Sequence, residues 1–412
     1  MKILQINSFY KEGSTGKIVY DVQEHLRQKG YDMKAAFGRG RPMLADDDTA
    51  YRFCNDREVK IHNLFMVLGL SLQYGGSPLG TYRLINYIRR EKPDVVHVHC
   101  INMSCVNIYA VLKFLAKKKI PTVVTHHGEF YYTGSCGHSF ECNRWKENEC
   151  RGCEKVRYAT QSRTISRTHE AWKEMHKAFS GFDLDKLVFT AVSPWVKQRS
   201  MLSPIVNKFR CEVVKNGLDT KVFKNDPKPC IFDEKFGKLT GPVVLHSTAS
   251  FWPDSYEDVK GGWCVVELAK RMPNVNFIIV SLVNITEMEL PSNIYFWGKA
   301  KNQQELASLY STADLTLLTS RKETFSMVCA ESLCCGTPVI GFKAGGPETI
   351  ALPDYSRFVE NGDVAALKDV LQEELGKHRE KVCVAEISKA VYDKSIMAEN
   401  YLKIYKSFFC KI

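Results

Sequence analysis

No run in this chain is long and apolar enough to cross a bilayer as a helix. The longest apolar stretch, Leu64–Leu72, falls far short of the roughly 20 residues a spanning helix needs, which argues against an integral membrane protein. The start lacks a basic segment leading into an apolar core, and Met1–Ile6 reads as a first strand rather than a secretory leader. There is no internal repeat and no low-complexity segment. The Gly-x-Gly-x-x-Gly fingerprint of dinucleotide folds is missing. No RNA- or DNA-reading motif accompanies the basic residues, which sets nucleic acid aside as a partner. Fifteen cysteines are present but without secretory context, so reduced thiols in a cytosol are expected, most of them packed as small hydrophobes.

What is present is an ordinary globular composition, 44% apolar and 25% charged, over 412 residues, enough for two domains with a core each. The net charge of +11 is unevenly placed. Residues 1–200 hold 31 Lys/Arg against 20 Asp/Glu, whereas residues 201–412 hold 26 of each. A basic N-terminal half suits anionic lipid headgroups or a phosphate-bearing acceptor, or is simply a solvated face.

Strand and helix patterns alternate throughout, which predicts a layered α/β architecture with parallel sheets. Strand candidates are 3–7, 32–37, 95–99, 122–125, 188–192, 243–247, 277–281, 315–318 and 339–342. Helical periodicity covers 18–29, 107–118, 263–271, 303–310 and 325–333, and the tail 396–409 reads as an amphipathic helix. The Pro-rich, charged stretch Asn225–Pro229 marks a domain boundary within 195–230.

Three stretches carry chemistry. Glu12-Gly13-Ser14-Thr15-Gly16-Lys17 follows the first strand and opens a helix, so its backbone N–H groups can cradle an anion. It is not a Walker A loop, because Ile18 stands where magnesium needs Ser or Thr. Glu323 and Glu331 flank a helix start, Phe325-Ser326-Met327, after the strand ending at Thr319-Ser320. Eight helical steps would span roughly 12 Å, the scale separating a hexose from the ribose of one sugar nucleotide. Finally, Cys136, Cys142, Cys150 and Cys153 crowd a polar loop with Cys-x5-Cys-x7-Cys-x2-Cys spacing. Four thiolates suit a structural tetrahedral zinc; free or redox-paired thiols are the alternative.

The segment from Glu323 through Gly336-Thr337-Pro338-Val339-Ile340 to Gly345-Gly346-Pro347-Glu348 resembles the donor-binding signature of the family-4 retaining glycosyltransferases of GT-B fold, and the likeness extends over essentially the whole chain. It implies two Rossmann-like domains with parallel sheets facing a cleft. These are an acceptor-side domain 1–205, joined by the closing helix 396–412, and a donor domain 206–395. It implies transfer of a hexose from a nucleotide diphosphate sugar, UDP- or GDP-linked, to a glycan or lipid-pyrophosphate-linked acceptor, with retention and without a catalytic metal. The setting would be capsule, O-antigen or exopolysaccharide assembly, in the cytoplasm or at the inner membrane surface. By position His127 matches the histidine near the anomeric centre, with His99 a weaker acceptor-side candidate. Lys260 matches the lysine that neutralises the leaving diphosphate, Glu323 the sugar-binding carboxylate and Glu331 the ribose-binding one. Gly13, Gly16, Phe325, Ser326, Met327 and the backbone around Gly298 join the donor site. Two departures stand out. Val259 replaces an arginine common before Lys260, leaving Arg321 or Lys322 to compensate, and Glu323-Thr324-Phe325-Ser326 replaces the usual Glu-Gly-Phe-Gly. A non-catalytic sugar-nucleotide-binding subunit and a GT-B epimerase or hydrolase are the rival readings.

Overall fold

The structure is a computed structural model that describes residues 1–41, 49–256, 258–284 and 289–410. Residue 257, and residues 411–412 of the expected closing helix, therefore lie outside the described residues. The chain divides into two compact units, Met1–Lys215 with the segment from Met397 onward, and Asn216–Ile396.

In the first unit, short runs form strands of which the central ones are buried on both faces, as parallel sheets covered by helices require. They are β1 (Lys2–Asn7), β2 (Asp32–Phe37), β3 (Ala50–Arg52), β4 (Val95–Val98), β5 (Thr122–His126), β6 (Leu187–Ala191) and β7 (Arg210–Val213). All pair in parallel, in the order β3-β2-β1-β4-β5-β6-β7. Helix Gly13–Gln28 packs Ile18, Val22 and Leu26 against Ile3 and Val95. The closing helix Lys394–Ser407 adds Met397, Tyr401, Leu402 and Tyr405 to the same core.

The second unit holds β8 (Val243–Phe251), β9 (Asn276–Asn284), β10 (Ile294–Gly298), β11 (Leu315–Leu318), β12 (Val339–Phe342) and β13 (Ser356–Val359). These are again all parallel, in the order β10-β9-β8-β11-β12-β13. Its core joins Val265 and Leu268 of helix Gly262–Arg271 to Phe277, Ile279, Leu317 and Ile340. In each sheet the chain turns back at a switch point, between β1 and β4 and between β8 and β11, and the carboxyl ends of strands at such a point leave a crevice for ligands. Among the described residues, no helix is long and apolar enough to cross a membrane.

The cysteine-rich segment folds as three short helices, Phe130–Thr133, Arg144–Glu147 and Val156–Thr160, and here the zinc expectation fails. Cys136, Cys142 and Cys153 line one cavity, while Cys150 directs its Sγ to the Thr133 carbonyl at 3.4 Å. Yet among the described residues no group of three or more His, Cys, Asp or Glu side chains is arranged to hold a metal ion. Burial pushes the Cys136 thiol up to about 12 and raises that of Cys150 further.

What staples the segment is an ion pair. Glu129, fully buried, meets Arg199. Arg199 also donates to Ser139 Oγ at 2.7 Å and the Phe140 carbonyl at 2.6 Å, and Tyr132 donates its hydroxyl to Glu129 Oε1 at 2.8 Å. Trp145 adds a buried anchor, donating Nε1–H to the Cys142 carbonyl at 2.8 Å. Removing one partner of a buried pair strands the other charge. Glu129→Ala is therefore expected to lower unfolding free energy by about 3–5 kcal/mol, read by urea denaturation, while a chelator leaves the wild-type curve unmoved. A loss confined to chelator treatment would reverse the assignment.

Candidate active site

The strongest site lies at the β8–β11 switch point of the second unit. After β11 the chain runs through Thr319-Ser320 to Glu323, whose N–H donates to the Ala344 carbonyl at 2.9 Å; the N–H of Gly346 returns to the Glu323 carbonyl at 2.8 Å. Lys260, at the end of the loop after β8, is held by Thr319 Oγ1, which donates to its carbonyl at 2.8 Å. These two anchored loops bring Lys260 Nζ to 2.6 Å from Glu323 Oε1, both side chains half-buried.

Beside the pair is a cavity of about 470 Å³, within the range of small-ligand sites. Lys260, Glu323, Ser326 and Val328 line it together with His246, Ser247, Thr248, Lys299 and Lys301. Helix Met327–Cys334 starts at this wall. Ser326 caps it, accepting from Cys329 N at 3.3 Å in a positive-φ conformation. The first N–H groups of a helix have no intrahelical acceptor, and with the lysines they give the cavity a positive lining suited to a phosphate.

The sequence reading placed Lys260, Glu323 and Ser326 in this site, and the structure brings these three together. Phe325 is buried beneath the helix start, and Met327 is its first residue. Gly298 closes β10 at φ +85°, immediately before Lys299 on the cavity wall. Glu331 stands one turn further along the helix, off the wall, where Tyr310 donates its hydroxyl to Oε2 at 3.4 Å. Arg321, offered as a replacement phosphate ligand, instead donates Nη1–H to the Tyr256 carbonyl at 3.4 Å; the lining cations besides Lys260 are Lys299 and Lys301.

His246 was missed. Its Nδ1–H donates to the Leu317 carbonyl at 3.1 Å, so Nε2 carries the lone pair, and that atom is buried without a partner. Burial lowers its pKa to about 4, leaving a neutral acceptor on the cavity wall. A histidine inside an apolar strand gives no sequence signal beyond a core ring.

The first unit has its own polar cluster at its switch point. Gln5 donates Nε2–H to the Val19 carbonyl at 2.9 Å, which fixes its amide with Oε1 as acceptor. His99 Nε2–H then donates to that oxygen at 3.0 Å. Neutral His99 must accept on Nδ1, so His127 donates Nε2–H to it at 3.1 Å. The chain of bonds sets the His127 tautomer, with Nδ1 as its acceptor atom. Desolvation lowers His127 to about 4 and holds His97 and His99 well below the ordinary value. His126, stacked on Phe189 at 4.9 Å with neither ring nitrogen bonded, is a core ring. Nearby, Gly13 and Gly16 open helix Gly13–Gln28, whose first turn carries no acidic side chain and no side-chain cap. A Cβ on Gly16 would lie 3.1 Å from the Phe9 carbonyl carbon.

Two Rossmann-like units, one with a positively lined cavity at its switch point, define the GT-B class. Residues 15–222 match Glycosyltransferase Family 4 and residues 267–382 match Glycosyl transferases group 1; the chain belongs to Glycosyltransferase Family 4. It is 22% identical, across 99% of this chain and all of the other, to the protein named "Putative colanic acid biosynthesis glycosyl transferase WcaC" of Escherichia coli (strain K12). An uncharacterized 41.2 kDa protein in the cps region of Klebsiella pneumoniae is 22% identical over 79% of this chain and 82% of its own. Among solved structures, Anabaena Alr3699/HepE in complex with UDP superposes with a TM-score of 0.65 at 15% identity, covering 99% and 100% of the two chains. The lipopolysaccharide outer core galactosyltransferase WaaB in its apo form gives 0.64 at 14%, covering 100% of both.

The buried neutral histidines make a pH prediction. His62, His97, His99, His126, His127 and His246 all have pKa values lowered from 6.5 by burial. Below 6.5 the unfolded chain binds protons there and the native chain does not, so stability falls with pH. The melting temperature is expected to drop steadily from about pH 7 to about pH 5.5. A flat or rising trend in that interval contradicts burial of neutral rings.

Proposed function

We propose that this glycosyltransferase is a retaining hexosyltransferase of polysaccharide assembly. Its donor would be a UDP- or GDP-linked hexose, and its acceptor a hydroxyl of a glycan or lipid-pyrophosphate-linked glycan at the cytoplasmic face of the membrane. The observation that carries the reading is the Lys260–Glu323 contact at 2.6 Å beside a cavity walled by a helix N-terminus. The ammonium and the helix N–H groups suit a diphosphate, and the carboxylate suits sugar hydroxyls. The relatives named for colanic acid synthesis and the cps region support the polysaccharide setting. The UDP complex of the HepE neighbour supports a nucleotide-sugar donor.

In this reading the acceptor hydroxyl attacks the anomeric carbon from the face of the departing diphosphate. The new C–O bond forms as the bond to the diphosphate oxygen breaks, and the hydroxyl proton passes to that diphosphate. Lys260, Lys299 and the helix N–H groups stabilise the charge that develops on the leaving group. Glu323 accepts from the sugar and Glu331 from the ribose diol, and His127 keeps the sugar-binding role that its family position implies. No protein nucleophile is required.

Glu323→Ala is expected to cut turnover by about 10²-fold or more, the scale of one aimed polar group at a transition state. NMR of the disaccharide product should show the anomeric configuration of the donor. Inverted product, or donor consumption that does not need acceptor, would overturn the proposal.

A further inference from the structure

Helix Asp56–Val67 carries apolar side chains on two faces. Val59, His62 and Met66 are buried against the first unit. On another face Ile61, Leu64, Phe65 and, just past the helix end, Leu68 follow the i, i+3, i+4, i+7 spacing of a single stripe. Leu70 continues it, as does Ile165 from a neighbouring segment; these six side chains are between 45% and 62% exposed. The neighbouring segment is tied to the helix end. Arg163 N donates to the Val67 carbonyl at 3.1 Å, Thr164 Oγ1 to the Leu68 carbonyl at 3.1 Å and Arg167 Nη1 to the Leu70 carbonyl at 3.3 Å. Single exposed leucines need no explanation, but a contiguous patch does.

Cations border the stripe. Arg57 and Lys60 are exposed on the same helix, and Arg157 and Arg163 line a polar cavity of about 560 Å³ at the far edge. Nearby carboxylates are already engaged: Asp56 with Arg52, Glu58 with Arg83, Glu154 with Arg144 and Glu170 with Arg167. Among the described residues, Arg57, Lys60, Arg157 and Arg163 have no ion-pair partner. A two-fold contact between copies through this face would set these cations against one another, whereas an anionic surface would meet them.

We propose that this face docks on an anionic phospholipid bilayer, the stripe entering the headgroup–acyl boundary and the four cations meeting lipid phosphates. Amphipathic surfaces of this composition lie in the interface plane. The proposal deepens the reading of the chain as an enzyme on lipid-linked acceptors and rests on that reading for its purpose, but its test reads binding rather than turnover.

The full chain is sedimented with phosphatidylcholine vesicles with and without phosphatidylglycerol. Binding is expected to the anionic vesicles only and to weaken with salt. Leu64→Gln/Phe65→Gln should lower the partition coefficient by about tenfold or more. Arg157→Gln/Arg163→Gln should lower it by about fivefold per charge. Both variants should keep the wild-type melting temperature and turnover on a water-soluble acceptor, because the side chains are exposed and none of them lines the Lys260–Glu323 cavity. Equal binding by wild type and both variants would overturn the assignment, as would absence of binding. A concentration-dependent dimer abolished by Leu64→Gln/Phe65→Gln, without vesicle binding, would give the face to a second copy instead.

Discussion

The Lys260–Glu323 cavity of the second unit depends on two places where backbone approaches backbone too closely for any side chain. At Gly261, at φ +70°, an added Cβ would sit 2.2 Å from the Thr319 carbonyl oxygen; at Gly346 it would sit 2.5 Å from the Thr324 carbonyl. Real Cβ atoms do not tolerate such distances, so only glycine lets the loop after β8 and the loop after β12 close on the chain leaving β11. Those closures aim Lys260 at Glu323 and set the capping turn at Ser326. The fold alone thereby holds the ammonium in place, as the proposed stabilisation of a leaving group would require.

The same logic serves both units. A parallel sheet covered by helices must bury both faces, so its polar chemistry is driven to the strand ends and gathers where strand order reverses. In the second unit that place holds lysines and a helix N-terminus. In the first it holds a Gln5–His99–His127 chain of hydrogen bonds that is neutral throughout because desolvation disfavours imidazolium. One site is built around charge, the other around fixed tautomers.

Much of this was legible in the sequence, and the gaps have physical causes. The central strands were read to within a few residues, because β1, β4, β5, β6, β11 and β12 are buried on both faces. The strands not singled out, β3, β7, β10 and β13, are the four sheet edges; half-buried segments such as Arg210–Val213 and Ser356–Val359 carry no continuous apolar run. Helix Asp56–Val67 was missed for the opposite reason, since its second apolar face blurs the periodicity. Lys260, Glu323 and Ser326 were legible through the resemblance to the family's donor-binding signature, whereas His246 shows itself only through an unpartnered Nε2. The cysteine loop misled because spacing reports proximity but not direction: among the described residues no three of its ligand side chains converge, and Glu129 and Arg199 organise the segment.

The most direct test of the central claim is calorimetric titration of the purified protein with UDP and GDP in the absence of metal, repeated with Lys260→Ala. The account predicts saturable binding of one nucleoside diphosphate to the wild type, weakened about tenfold or more once the ammonium is gone, as expected for a charge-assisted phosphate contact. Absence of binding by either nucleotide, or equal affinity in Lys260→Ala, would contradict a diphosphate site at the Lys260–Glu323 pair.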